Sequence, residues 1–391
     1  MARLLLVFVA LFSAAAGAAV VKWAVVSNPS SWIDGPYGAC VGGGYVYVVG
    51  FDSGPGAVSE WRIEKRDKSS GGLVKTWALD PTDGYDVLTS CVVVGDRLYV
   101  VGYAGFRWAV LQLDLDLSSL RYVEGAAGVP LSVASDGQHL YIAGFQYIDF
   151  VPHWRVEKRR LDDLSLASAL LLNSTEGQGA AWGIGVSPAD GRIWVAGNNA
   201  TGWRVEILDR DLSRVAVLRP GLERGALGVV FDEGGNAYVY GGRGVVKFSK
   251  DGMQLARAVG FDAMEAAYAG GRLYVIADIS RLLVLDTELR KIGEVYLPPE
   301  IEKHQRIYGI EVPQKVSGGF DGGTLYMVGS TVVNTLSGDA WLIYAVSTAD
   351  VDLYLLAGAL TTAAPVAMAA AALAGAYLAV KRRRRAAAAL A

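Results

Sequence analysis

The chain has 391 residues, 52% of them hydrophobic and 19% charged, with a formal net charge of −3. Arg3 and the basic run 381–385 hold six of the 36 basic residues, so the part between them sets 30 basic against 39 acidic side chains. That balance excludes a general polyanion or nucleic-acid partner, and two cysteines exclude a disulfide-dense scaffold.

In chain order, the first element is a secretory signal over 1–18: Arg3, an apolar run over 4–12, then Ala16-Gly17-Ala18 before the expected cleavage point. An ectodomain over 22–347 follows. It carries one strand signature seven times: an aliphatic residue or alanine, then Tyr or Trp, then two residues, then glycine. The aromatic anchors are Tyr47, Tyr99, Tyr141, Trp194, Tyr238, Tyr274 and Tyr326, and Ala277 replaces the closing glycine in the sixth copy. Successive anchors lie 52, 42, 53, 44, 36 and 52 residues apart, a period suited to four-stranded propeller blades. The expectation is an all-β, seven-bladed propeller.

The second repeat shows the unit. Cys91-Val92-Val93-Val94 reads as inner strand a, Gly95-Asp96 as a turn, 98–102 as b, 108–113 as c and 120–123 as d. Strand c alternates in Trp61-Arg62-Ile63-Glu64, Trp154-Arg155-Val156-Glu157 and Trp203-Arg204-Val205-Glu206. This pattern reads as a packing face backed by a solvated face of paired charges. Cys40 and Cys91 both fall in a strand a; a disulfide and two buried free thiols both remain open. Sequons stand at Asn173 and Asn199 in expected loops.

In the seventh repeat, 308–312, 324–329 and 340–347 supply strands a, b and c. No fourth strand remains, and 23–27 is available to pair there and close the ring. The uncharged stretch 353–380 is long enough to cross a bilayer as a helix, and Lys381-Arg382-Arg383-Arg384-Arg385 holds the tail 381–391 on the cytoplasmic side. A cleaved sorting tail is the other reading of that end. The span places the propeller outside the cell, with the end bearing the long loops 51–60, 79–89, 145–153, 173–181, 297–306 and 330–339 pointing away from the membrane.

Asn236-Ala237-Tyr238-Val239-Tyr240-Gly241, followed by Val245-Val246-Lys247-Phe248 and Lys250-Asp251-Gly252, resembles the exported β-propeller repeats of bacteria and archaea of the SBBP type. The segment 61–67 with Gly71-Gly72-Leu73-Val74-Lys75-Thr76-Trp77 is similar to the second half of such a unit. The resemblance covers most of 38–346 and departs in loop length in repeats two, three and seven. It implies an extracellular location and binding rather than a fixed chemistry.

The outward mouth of the channel supplies the candidate ligand site: Tyr37, Trp182 and Tyr308, with Asp83, Tyr85, Glu223, Arg224, Glu265, His304 and Arg306 nearby in sequence. Aromatic rings beside carboxylates and arginines suit a sugar or peptide segment. His139, His153 and His304 lie in different repeats, so no metal site is expected, and no cofactor. The expected role is a non-catalytic binding, adhesion or scaffold module for a glycan, peptide or envelope protein. The competing class is an exported enzyme, either a glycoside hydrolase or lyase or a quinone-dependent dehydrogenase. Two carboxylates facing each other across the channel would favour the hydrolase.

Overall fold

The computed structural model describes residues 20–54, 58–172, 179–277, 281–296, 317–321, 323–334, 338–353 and 355. The signal segment, almost all of the expected membrane span and the basic tail lie outside them. Among the described residues no helix is long and apolar enough to cross a membrane.

Strands dominate. The first is β1 (Val21–Ser27), and the first repeat holds β2 (Gly35–Gly42), β3 (Tyr45–Ser53), β4 (Ser59–Asp67) and β5 (Leu73–Leu79). The second and third share a strand: β6 (Asp86–Val94), β7 (Arg97–Ala104), β8 (Arg107–Asp114), β9 (Leu120–Ser135), β10 (His139–Ile148), β11 (Val151–Arg160) and β12 (Leu166–Leu172). The fourth has β13 (Ala181–Val186), β14 (Ile193–Asn199), β15 (Gly202–Leu208) and β16 (Arg214–Leu218). The fifth has β17 (Ala226–Phe231), β18 (Ala237–Gly241), β19 (Gly244–Phe248) and β20 (Gln254–Val259). The sixth has β21 (Ala263–Ala269), β22 (Arg272–Ala277), β23 (Arg281–Asp286) and β24 (Lys291–Tyr296). The last three are β25 (Ser317–Asp321), β26 (Thr324–Asn334) and β27 (Gly338–Ser347).

These strands form antiparallel sheets in meander order, and β1 joins β27 to give the sheet β1-β27-β26-β25. The strand paired with β26 is β25, so strand a of the seventh repeat is Ser317–Asp321 and not 308–312, which lies outside the described residues. A second correction concerns 145–153. Instead of a long loop, β10 and β11 continue to a tight turn at Asp149 and Phe150, both with left-handed φ (50° and 62°), the two-residue hairpin geometry. A third is β9, one strand that serves as d of the second repeat and a of the third. Gly128 lies at φ 145° where the two roles meet, and a Cβ there would sit 2.1 Å from the Phe145 carbonyl oxygen.

The repeated signature has a geometric cause. In five repeats the closing glycine pairs with the residue just before a bulge in strand a: Gly50 with Pro36, Gly102 with Leu88, Gly144 with Pro130, Gly197 with Ala181 and Gly241 with Ala226. A Cβ on Gly102 would lie 2.2 Å from the Val87 carbonyl oxygen, so only glycine leaves room for the bulging partner. Ala277 pairs with Ala263 beside the same bulge, and nothing in the structure explains why that copy tolerates a methyl group.

Neighbouring repeats are held by one recurring pair of hydrogen bonds. The anchor tyrosines donate to the c–d turn of the next repeat: Tyr47 to the Leu115 carbonyl (2.8 Å), Tyr99 to Leu161 (3.1 Å) and Tyr238 to Thr287 (3.2 Å). The tryptophan opening strand c donates its indole N–H to the carbonyl just after the next signature glycine: Trp61 to Tyr103 (2.9 Å), Trp108 to Phe145 (2.9 Å), Trp154 to Asn198 (3.0 Å) and Trp203 to Gly242 (2.8 Å). Trp341 does the same to Phe51 (3.2 Å), joining the last repeat to the first. The packing role read for these tryptophans is therefore also a directional one.

The paired charges on strand c are not solvated. Glu64, Glu157 and Glu206 are fully buried, because the neighbouring repeat covers the face that alternation assigns to water. Each carboxylate is paired with arginines, Glu157 with Arg155 (2.7 Å) and Arg159 (2.6 Å). The guanidinium groups of Arg62, Arg155 and Arg204 also lie over Trp341, Trp108 and Trp154 of the preceding repeats.

Candidate functional site

The b–c turns and the entries to strand a gather at one end of the molecule, and the chain leaves β27 at the other. Two features at the loop end stand out chemically: an aromatic rim over the first three repeats and a cavity on the axis below it.

The rim grows from the signature. The residue after the closing glycine is Phe51, Tyr103 and Phe145 in the first three repeats, but Asn198 and Gly242 in the fourth and fifth. Around these, Tyr37 packs against Phe51 (ring centroids 5.9 Å apart), Phe106 stacks on Tyr103 (5.7 Å) and meets Tyr85 edge-on (6.2 Å), and Tyr147 meets Phe145 edge-on (5.2 Å). Burial raises the Tyr103 hydroxyl far above its ordinary range, with Tyr37, Asp86, Tyr85 and Tyr147 adding to the shift. Tyr37 occupies the bulge of β2, which turns its side chain out of the pleat. Five large aromatic side chains project into solvent at this end: Trp32, Tyr85, Phe106, Tyr147 and Phe150, the last 97% exposed. Such clustering marks a surface and not scatter, since single exposed aromatics are ordinary.

An acidic group adjoins the rim. The Ser59 N–H donates to the Gly84 carbonyl (3.2 Å) and Ser59 forms a parallel bridge with Tyr85, while Glu60, on the opposite face of β4, stands across from Asp52 of β3. Burial first, and then the neighbouring Asp34 carboxyl, raise the Asp52 carboxyl to about 6 against the opposing Arg62. Glu60 is raised by burial and by Asp52 and Asp80. The sign for stability follows. An unfolded Asp ionises near 3.8 and the folded one near 6, so between those values the folded state binds more protons and stability falls as pH rises through that window. Asp52→Asn is expected to raise the melting temperature at neutral pH and to leave it unchanged at pH 4 and below, read from thermal unfolding across that pH range.

The axial cavity measures about 340 Å3 and is walled by inner strands of the first, second, third, fifth and sixth repeats and by β26. Its wall is mostly aliphatic and aromatic, with Ser90, Ser132 and Glu265 as polar points. Glu265 accepts a hydrogen bond from the Tyr240 hydroxyl, whose complete burial and carboxylate neighbour raise it well above its ordinary value. Gly228 makes that possible, because a Cβ there would lie 2.2 Å from the same hydroxyl. Glu265 is the only acidic side chain among the described residues of the wall.

The ten residues expected at the mouth therefore separate. Tyr37 and Tyr85 meet in the rim, and Asp83 is exposed in the loop beside Tyr85. Trp182 stands over the fourth repeat and donates its indole N–H to Asn198 Oδ1 (2.7 Å). Glu223 pairs with Arg243 (3.1 Å) and Arg224 with Asp262, forming an ionic edge on the opposite half. Glu265 lies in the cavity. His304, Arg306, Tyr308 and Asn173 lie outside the described residues, while Asn199 ends β14, largely buried, with its Oδ1 accepting from Thr201. Cys40 on β2 and Cys91 on β6 are bonded, with Cα atoms 5.8 Å apart. Among the described residues no cluster of His, Cys, Asp and Glu could hold a metal ion.

No protein-family model and no curated protein sequence matches the chain. Solved structures do. Virginiamycin B lyase from Staphylococcus aureus is similar over 82% of this chain and 98% of its own (11% identity, TM-score 0.55). Sqt1 from Chaetomium thermophilum is similar over 80% and 88% (13% identity, TM-score 0.54), and a streptogramin B lyase over 82% and 97% (11% identity, TM-score 0.55). These are β-propellers, and at such identities the likeness carries the architecture alone. The chain has an all-β fold of the propeller type.

Proposed function

We propose that the chain is a single-pass cell-surface protein whose seven-bladed propeller acts as a non-catalytic binding module through its aromatic rim. Dividing the seven-stranded sheet at β9 gives seven blades, with β1 as the fourth strand of the last. Apolar clusters between successive blades, one of them between the seventh and the first, support closure of the ring. The exported SBBP-type repeats remain the sequence pattern that fits this organisation.

The observation that carries the function is the exposed aromatic surface at the end opposite the chain's exit toward 353–380. A disulfide, a signal-like start and an uncharged stretch before a basic tail support an extracellular propeller and a cytoplasmic C-terminus. After β27 the chain stays close to the body, where Asp352 pairs with Arg272 and accepts from Tyr274 (3.2 Å). That contact replaces the c–d turn which the other anchor tyrosines grip, and it would fix the rim facing outward. The ligand classes are a glycan, a peptide or an envelope protein.

The test uses the full-length chain in detergent micelles on glycan and peptide arrays, beside the double variant Phe106→Ala, Tyr147→Ala. Ligands of the native chain are expected to bind the variant about tenfold more weakly, the scale of losing two exposed aromatic contacts. Unchanged binding by the variant would remove the rim from the function. Turnover of a bound ligand that Glu265→Gln abolishes would instead favour the enzyme reading, for which the cavity carboxylate is the one specific observation.

A further inference from the structure

In six repeats strand a bulges at one level, and the residue that follows the bulge is Gly38, Ser90, Ser132, Gly183, Gly228 or Glu265. Each pairs with the residue just before the closing position of the signature, so the six stand at one height of their sheets. The inner strands crowd there: a Cβ on Gly38 would lie 3.0 Å from the Ser90 Cα, and one on Gly183 would lie 2.5 Å from the Gly228 Cα. The level therefore offers Ser90, Ser132 and Glu265 to the cavity as its polar side chains. The two serines are 7% and 6% exposed, both line the cavity, and neither hydroxyl has a hydrogen-bond partner among the described residues. Their neighbours are engaged: Thr89 directs its hydroxyl to the carbonyls of Pro130 (2.6 Å) and Val101 (3.2 Å), and Glu265 accepts from Tyr240 and from the Ala266 N–H (3.1 Å). Buried hydroxyls are ordinarily satisfied. Two waters would satisfy these, yet most of the 340 Å3 is bounded by apolar side chains such as Ala39, Val133, Val229, Ile276 and Met327, and apolar space does not hold water.

We infer that the axial cavity is a second binding site, for a small neutral molecule with an apolar body and a hydroxyl group that meets Ser90 and Ser132. It is separate from the rim and does not depend on the role proposed for it. The volume sets the size of the body: a cavity of about 150 Å3 accepts benzene, so this one takes about two fused rings. The two serines set the head group. A serine hydroxyl both donates and accepts, as an alcohol does, so the pairing completes itself without carrying a charge into an apolar wall. An ammonium head cannot accept the hydrogen that each serine has to donate. A carboxylate head would bring a second acid to the level of Glu265.

The experiment titrates naphthylmethanol, naphthalene, naphthylmethylamine and naphthoate calorimetrically into the full-length chain in detergent micelles, with protein-free micelles as the blank. The alcohol is expected to bind about tenfold more tightly than naphthalene, the scale of two added hydrogen bonds, and more tightly than the two charged probes. Ser90→Ala with Ser132→Ala should weaken the alcohol about tenfold and leave naphthalene unchanged, with an unshifted melting temperature confirming the variant's fold. Naphthalene bound as tightly as the alcohol, or an alcohol affinity that the double variant does not move, overturns the inference. Tightest binding of the amine, abolished by Glu265→Gln, overturns it in favour of a cationic ligand. Heats equal to the blank for all four probes assign the two hydroxyls to water and overturn it as well.

Discussion

Glu64→Leu is expected to lower stability by about 3–5 kcal/mol, the cost of leaving buried cations without their counter-ion. Glu64 is fully buried on β4 and accepts from Arg62, from Arg66 (2.8 Å to its Nε) and from the Ser27 hydroxyl on β1 (2.7 Å). Its loss strands the Arg66 guanidinium, leaves Arg62 with Asp52 alone (3.3 Å), and removes one of the hydrogen bonds that tie the amino-terminal strand to the first repeat, the other being Trp23 to the Lys68 carbonyl (3.1 Å). The urea midpoint should fall accordingly. Replacing Arg62, Glu64 and Arg66 together by Met, Leu and Met should recover much of that loss, because well-packed apolar groups of similar volume can substitute for a buried ion triad. Glu157→Leu should behave similarly, since Arg159 beside it is equally enclosed. Glu206→Leu should cost less, because Arg214 retains 46% side-chain exposure and stays hydrated after the change. A Glu64→Leu protein with the native midpoint would show that these carboxylates are not organising the repeats.

The same residues mark where the sequence was legible and where it was not. The signature aromatic and glycine repeat because strand b must do two things at a fixed position, reach the next repeat's turn and admit a bulge. Their spacing therefore gives strand order and repeat number directly. The charges of strand c mislead for a physical reason: alternation assigns a face to water only when nothing covers it, and each repeat here is covered on both sides. At the mouth, Tyr37 was legible as an aromatic leading into strand a and Tyr85 as one nearby in sequence. Tyr103 and Phe145 were missed although each follows a signature glycine, the one signal that could have found them. Phe106, Tyr147 and Phe150 depend on tight turns and an uninterrupted β9, which leave no loop to cover them. Tyr240 sits inside an apolar strand pattern, and only the opposing Gly228 reveals that its hydroxyl turns toward Glu265.

Reducing the Cys40–Cys91 bond is expected to lower stability by about 4 kcal/mol, the chain-entropy value for a loop of this length. The two cysteines are 51 positions apart and tie the innermost strands of the first two repeats, Cys91 lining the cavity beneath the rim. Cys40→Ala with Cys91→Ala should show the lowered urea midpoint with and without reductant, while the native chain should shift only when reductant is present. A native midpoint unmoved by reductant would mean that packing alone aligns these strands. The position gives the bond more consequence than its energy. Each repeat contacts chiefly its two neighbours, so weakening one junction loosens what stands above it before it unfolds the whole. Above this junction stand Tyr37, Phe51, Tyr85 and Tyr103, the centre of the rim. Reduction at a denaturant concentration well below the midpoint should therefore weaken binding of the rim's array ligands while far-ultraviolet circular dichroism stays native. A binding loss that tracked global unfolding would place the rim's rigidity elsewhere.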